Sequence, residues 1–274
     1  MRDLHGKRAL VTGAASGIGR ALSLELARHG VDLFLVDIDE ERLPATAEQA
    51  SNIGVRANPL VCDLSRPDEV SDCVREVLDT WGGLDILVNN AGVAYYGPTD
   101  RMTAEQWDWL LQINLLTPIQ LTRELLPVLL EQDESHILNV CSIAGLVATR
   151  KTAAYHVSKF GLVGFSESLR AEYRHRGLGV TALCPGVVRT NLFDATVTDQ
   201  PGKKVKPFPR WLSVSPEAVA NRGVAGIRHN RGLVVVSLMA RFLWLFKRLS
   251  PDLLGFVNGF RRKRRRAVNS PSRV

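Results

Sequence analysis

The sequence predicts an α/β fold: a doubly wound parallel sheet of seven strands with helices on both faces. Three features carry that expectation. Seven short runs rich in Leu and β-branched residues are spaced along the first 236 of 274 residues. Stretches of helical periodicity separate them, which is the alternation of βαβ units, and strands buried on both faces read as continuous apolar runs. A strand, a glycine-rich turn and an amphipathic helix open the series at "ALVTGAASGIGRALSLELARHG". A composition of 45% hydrophobic and 23% charged residues supports one full core. No repeat or low-complexity linker divides the runs, so residues 1–236 are expected to form a single domain, followed by an apolar and basic extension over 237–274.

Taken in order, the strand runs are "RALVT", "VDLFLVD", "VRANPLVC", "LDILVNN", "SHILNVCS", "LGVTALCPG" and "GLVVVS". The opening "MRDLHGKRALVTG" lacks the apolar stretch and cleavage site of a secretory signal, so a cytoplasmic location is expected. Glycines 13, 17 and 19 follow the first strand. A turn that tight needs residues without a Cβ, so that N–H groups at a helix N-terminus can approach a pyrophosphate. Strand-to-helix turns also use glycine for steric reasons alone, and the triplet fits either use. The second strand ends at Asp37, eighteen residues beyond Gly19, where a carboxylate can accept hydrogen bonds from an adenosine ribose or merely start a turn. Its charge repels a 2′-phosphate, and Ser16 and Ile38 bring no cation beside it, so NAD is favoured over NADP; Arg42 is the nearby exception.

Cys62, Cys73, Cys141 and Cys184 lie far apart in sequence without a C-x-x-C pair and read as reduced. The six histidines are scattered, no H-E-x-x-H occurs, and no metal is expected. After Met102, Thr103 and Gln106 form a capping-box pattern that opens a helix through "WDWLLQINLLTPIQLTRELLPVLL", with kinks expected at Pro118 and Pro127. Residues 191–215 are rich in Pro, Lys and aromatics and read as a lid before a helix starting near Pro216.

"AAYHVSKFG" places Tyr155 and Lys159 four residues apart, on one helical face. A half-exposed packing pair has the same spacing. Chemistry enters with the motifs around it: "TGAASGIG" at 12–19, "CDL" at 62–64, "NNAG" at 89–92, "IN" at 113–114, "NVCS" at 139–142, "YHVSK" at 155–159 and "PGVVRT" at 185–190. In this order they resemble the short-chain dehydrogenase/reductase family over about residues 7–236, which implies a Rossmann-type sheet. The resemblance implies a catalytic set of Asn114, Ser142, Tyr155 and Lys159. It also implies cofactor contacts from Thr12, Gly13, Ser16, Gly17, Ile18, Gly19, Asp37, Asp63, Leu64, Asn90, Ala91, Gly92, Tyr155, Lys159, Pro185, Gly186, Val188 and Thr190. Within that set Asp63 would meet the adenine, Asn90 would line the cofactor channel, Thr190 would hold the carboxamide, and Lys159 would bind ribose hydroxyls. Asn114 would hold a relay water, a reason for a poor helix former to sit in "LLQINLLTP".

The chemistry expected of this set is oxidoreduction. An ammonium near a phenol, aided by an oxidised nicotinamide, lowers the phenol pKa from about 10, and Tyr155 then exchanges a proton with the substrate oxygen as hydride moves at the adjoining carbon. Ser142 hydrogen-bonds that oxygen. No G-x-S-x-G elbow is present, and His156 and Cys141 read as packing residues, Cys141 facing away from Ser142. Phe193, Phe208 and Trp211 in the lid, with Tyr95 and Tyr96, suggest either an apolar pocket or lid and subunit packing. The expected function is NAD-dependent interconversion of a lipophilic secondary alcohol and ketone. The alternative is a non-catalytic nucleotide-binding scaffold or sensor whose basic tail engages membrane or nucleic acid. By resemblance a homodimer or homotetramer is implied, paired through the helices of Asn114 and Tyr155.

The net charge of +7 is unevenly placed. From Ser237 onward ten Lys or Arg face one acid, a local +9 that leaves the body at −2. That argues against nucleic acid as the main partner. The apolar segments of the extension are too short and too often charged to span a bilayer, which takes ~20 apolar residues. Two fates fit it: an amphipathic segment peripheral to an anionic membrane, or a helix packed on the domain with a solvated end.

Overall fold

A computed structural model of the chain describes residues 1–190, 192, 196–200, 209 and 213–250. In chain order the strands are β1 (Arg8–Thr12), β2 (Asp32–Asp37), β3 (Ala57–Val61), β4 (Ile86–Asn89), β5 (Tyr95–Tyr96), β6 (Ser135–Val140), β7 (Leu178–Pro185), β8 (Val197–Thr198) and β9 (Leu233–Val236). The helices are α1 (Gly17–Arg28), α2 (Leu43–Ile53), α3 (Pro67–Trp81), α4 (Ala104–Leu111), α5 (Thr117–Leu130), α6 (Ala153–Tyr173), α7 (Pro216–Arg228) and α8 (Leu238–Leu249). Seven strands form one parallel sheet in the order β3-β2-β1-β4-β6-β7-β9, while β5 and β8 pair as a separate parallel ribbon. Each of the seven runs in the sequence contains one strand of the large sheet.

Every residue of β6 and β7 is buried, because helices cover both faces. On one face Leu22 and Leu26 of α1 and Val219, Val224 and Ile227 of α7 share a core; on the other, Val70, Val74 and Val77 of α3 meet Leu121, Leu125 and Leu129 of α5. Each such fully buried leucine contributes roughly 2 kcal/mol. The strand order reverses between β1 and β4, and the helices leaving these two strands diverge to opposite faces. That divergence opens a crevice at the carboxyl ends, where ligands bind in open α/β sheets.

The long helix after Met102 differs from its expectation. The Thr103–Gln106 capping box forms, but the regular helix stops at Leu111 and resumes at Thr117. Between them Gln112–Leu116 is a π-helical turn, closed by the Thr117 N–H donating to the Gln112 carbonyl. The break falls in the turn before Pro118, which has no N–H to donate to the Asn114 carbonyl four residues back, so the disruption expected at Pro118 takes the form of a π turn, whereas α5 runs on through Pro127 to Leu130. The segment after β9 is α8 (Leu238–Leu249), capped by Ser237, and its Ala240 is fully buried.

Candidate active site

The glycine turn closes by contact. A Cβ on Gly19 would stand 1.9 Å from the Gly13 carbonyl oxygen, and Gly13 and Gly17 hold φ of 66° and 54°. The hydroxyl of Thr12 accepts the N–H groups of Asn90 and Ala91, and the Asn90 amide donates to the carbonyls of Thr12 and Gly13. These bonds lock the ends of β1 and β4 together and leave the N-terminus of α1 facing a groove of about 460 Å³. The groove is lined by Gly13, Ser16, Gly17, Ile18, Asp37, Asp63, Leu64, Asn90, Ala91, Gly92, Tyr155, Lys159 and Thr190 of the expected set. Thr12 and Gly19 are buried at the turn, where they shape the groove's wall. Pro185, Gly186 and Val188 line an adjoining chamber instead.

At the outer end Asp37 accepts the N–H of Ala15 at 2.8 Å and of Asp39 at 3.1 Å. Arg42 is ion-paired with Asp39, whose carboxyl this guanidinium holds below the usual carboxylate range. A glycine cradle at a helix N-terminus, with a carboxylate at the end of the second strand, fits a dinucleotide.

At the inner end, Ser142 follows β6 and caps a short turn, its Oγ accepting the Ala144 N–H at 3.1 Å. Gly145 lets that turn lie on α6; a Cβ there would be 2.5 Å from the Lys159 carbonyl oxygen. Tyr155 and Lys159 occupy the first two turns of α6, with the ammonium 5.9 Å from the phenol ring centre. Lys159 Nζ donates to the Val140 carbonyl at 2.9 Å, and burial pushes its pKa down. Burial pushes the Tyr155 phenol up to about 12, with Ser142 hydrogen bonding in the opposite sense. Desolvation disfavours the phenolate because it is the charged form.

Asn114 is fully buried in the π-helical turn. Its Oδ1 accepts the Val93 N–H at 2.8 Å, and its Nδ2 donates to the Val93 carbonyl at 2.9 Å and to Ser158 Oγ at 3.3 Å. The side-chain amide is thus occupied by the loop after β4, and a relay water at this position would have to meet the backbone. Periodicity signals no π turn, although an Asn inside an apolar helix was a pointer to the site.

The adjoining chamber measures about 700 Å³ and includes Ser142, Ile143, Ala144, Tyr95, Tyr96, Val187, Val188 and Thr196. It shares Ile18, Tyr155, Thr190 and Leu192 with the groove, so the phenol belongs to the wall between them. Phe193, Phe208 and Trp211 lie outside the described residues. His156, read from sequence as packing, lines the chamber and has a positioning role. Its Nε2 accepts the Thr149 N–H at 2.8 Å, which leaves the Nδ1 proton to bond the Ala144 carbonyl, also at 2.8 Å. It ties the turn after Ser142 to α6. The four cysteines are free and buried, and tertiary packing pairs them side by side as Cys62 with Cys73 and Cys141 with Cys184.

The family model described as short chain dehydrogenase matches residues 7–201. This chain belongs to the short-chain dehydrogenase family. The D-beta-hydroxybutyrate dehydrogenase of Cupriavidus necator is 36% identical over 205 residues, 74% of this chain and 79% of that protein. A short-chain dehydrogenase/reductase from Burkholderia phymatum, solved in complex with NAD, matches this short-chain dehydrogenase with a TM-score of 0.81 at 27% identity, covering 92% and 96% of the two chains. A metagenomic short-chain oxidoreductase in complex with NADP gives 0.71 at 30% identity, covering 85% and 98%. The chain is therefore an oxidoreductase of this family with a nicotinamide cofactor.

Proposed function

We propose that this dehydrogenase interconverts a lipophilic secondary alcohol and its ketone with NAD. One observation carries the reading: Tyr155 stands in the wall between the dinucleotide groove and a largely apolar chamber, with Ser142 on the chamber side and Lys159 on the groove side. When bound, the nicotinamide supplies the hydride acceptor or donor. Tyr155 Oη carries the proton. In reduction the phenol, kept protonated by burial, donates to the nascent alkoxide; in oxidation it must reach the phenolate, which Lys159 and the cofactor's positive charge favour. Ser142 Oγ hydrogen-bonds the same substrate oxygen, and Asn114 and His156 hold the two loops that flank it. NAD is preferred because Asp37 meets the ribose end while Arg42 is engaged by Asp39.

The apolar lining from Ile143, Ala144, Val187, Val188 and Leu192 favours a sizeable apolar substrate. Exposed Leu116, Val157 and Phe160, on the π turn and α6, suit pairing with a second copy of the chain. The test is to mix purified protein with NAD and a panel of hydrophobic secondary alcohols and follow the absorbance of reduced nicotinamide. Turnover is expected for the wild type and lost in Tyr155→Phe, while NAD affinity stays within a few-fold. A Tyr155→Phe protein that retains full turnover overturns the assignment.

A further inference from the structure

We infer that α8 docks on an anionic lipid bilayer through its Leu238, Phe242, Leu245 and Leu249 face and brings the substrate chamber to the membrane surface. The docking stands on the helix alone; its benefit to turnover rests on the lipophilic substrate proposed above. Leu238, Phe242, Leu245 and Leu249 are 84%, 68%, 51% and 86% exposed. Their spacing of four, three and four residues places them in one narrow stripe along a helix roughly 18 Å long. Apolar stripes of this kind ordinarily face a core. Here the stripe faces out because the opposite side of the helix is already attached. Ala240 is buried, and Ser237 Oγ accepts the Ala240 N–H at 3.2 Å. Arg241 Nε donates to the Val235 carbonyl at 3.0 Å, and Lys247 Nζ to the Leu146 carbonyl at 2.7 Å.

Charge selects the occupant. No acid lies on α8, and the chain from Ser237 onward carries +9 against −2 for the body. A second copy seated on this face would bring two such segments together, and like charges oppose that contact. A polyanionic RNA would satisfy the cations and leave Leu and Phe in water. An anionic bilayer satisfies both, since the stripe enters the headgroup boundary while Arg248 and the net positive charge of the sequence after Ser237 attract anionic lipid. Among the described residues no helix is long and apolar enough to cross a membrane, so α8 lies on the surface.

The inner side of α8 is the back of the chamber wall. A Cβ on Gly186, a chamber residue, would stand 2.7 Å from Ser237 Oγ and 3.4 Å from the Ala240 Cβ. The chamber therefore sits about one helix diameter, ~10 Å, from the proposed bilayer plane. An apolar alcohol dissolved in the membrane has a short path to Tyr155.

The experiment uses the full chain and co-sedimentation with vesicles of phosphatidylglycerol and phosphatidylcholine, compared with phosphatidylcholine alone and with a homopolymeric RNA. Wild type is expected to sediment with the anionic vesicles only. Phe242→Ser combined with Leu245→Ser should weaken that partition on the order of 100-fold, with an unchanged melting temperature, because both side chains are exposed. Partition unchanged by this double variant means the basic tail acts alone and overturns the docking face. Wild type that stays in solution and self-associates through these residues, or that binds RNA and not vesicles, overturns it equally. Sedimentation needs no turnover, so it can fail or succeed independently of the proposed reaction. In the kinetic arm, the double variant should lose rate on a long-chain secondary alcohol held in anionic vesicles and keep its rate on a short, water-soluble one.

Discussion

Replacing Asn114 by Ala tests how the π-helical turn supports the site. The side chain is fully buried and meets both main-chain groups of Val93 and the Ser158 hydroxyl. Truncation leaves the Val93 N–H and carbonyl without their partners, at about 1–1.5 kcal/mol each. Ser158 still donates to the Tyr155 carbonyl at 2.9 Å and loses little. With a small void added, the expected loss is about 3 kcal/mol, read as a lower urea midpoint at unchanged m. The same loop carries Ala91, Gly92 and Val93 along the dinucleotide groove, and Gly92 lies between Asn114 Oδ1 and Lys159 Nζ. The KM for the nicotinamide cofactor should therefore rise roughly tenfold, which corresponds to about 1.4 kcal/mol. A stability loss below about 1 kcal/mol refutes the hydrogen-bond reasoning. A full loss with unchanged cofactor KM refutes the claim that the turn serves the site.

Three further outcomes follow from separate observations. Asp37→Ala should shift the NADP-to-NAD ratio of kcat/KM upward by roughly 10- to 100-fold, since a carboxylate facing a 2′-phosphate is removed; an unchanged ratio means Asp37 does not face the ribose. Gly19→Ala puts a methyl 1.9 Å from the Gly13 carbonyl oxygen, so dye displacement or calorimetry should register loss of dinucleotide binding. His136, fully buried and bonded to Thr181 Oγ1 at 2.8 Å, has its pKa pushed down to about 3 by burial. The unfolded chain takes up that proton as pH falls below ~6.5 and the folded protein refuses it until about 3, so stability is lost across that window. By pH 5 the loss from this group is about 2 kcal/mol, and His136→Gln should flatten that part of the urea-stability profile.

The parts of this dehydrogenase legible from sequence are those governed by near neighbours along the chain. The inner strands show as apolar runs because both faces of the sheet are covered there, while the edge strand β3, with no buried residue, reads as a more polar run. The glycine turn shows because its geometry excludes a Cβ, and Tyr155 and Lys159 share a face because four residues make about one helical turn. Long-range packing governed the rest. That Thr12 accepts the N–H groups of Asn90 and Ala91, tying β1 to the end of β4, is visible only in the folded sheet. The helix breaks in the turn before Pro118, as a proline predicts, but that a buried loop 21 residues upstream claims the Asn114 side chain is visible only in the fold. His156 becomes a tie for the Ser142 turn once Thr149 and Ala144 fold against it. Burial, a property of the whole fold, pushes the Tyr155 phenol up, an effect that spacing along the helix does not show. Spacing along a chain fixes which side chains share a face, whereas desolvation and hydrogen-bond partners depend on segments that meet only when the sheet and its helices close.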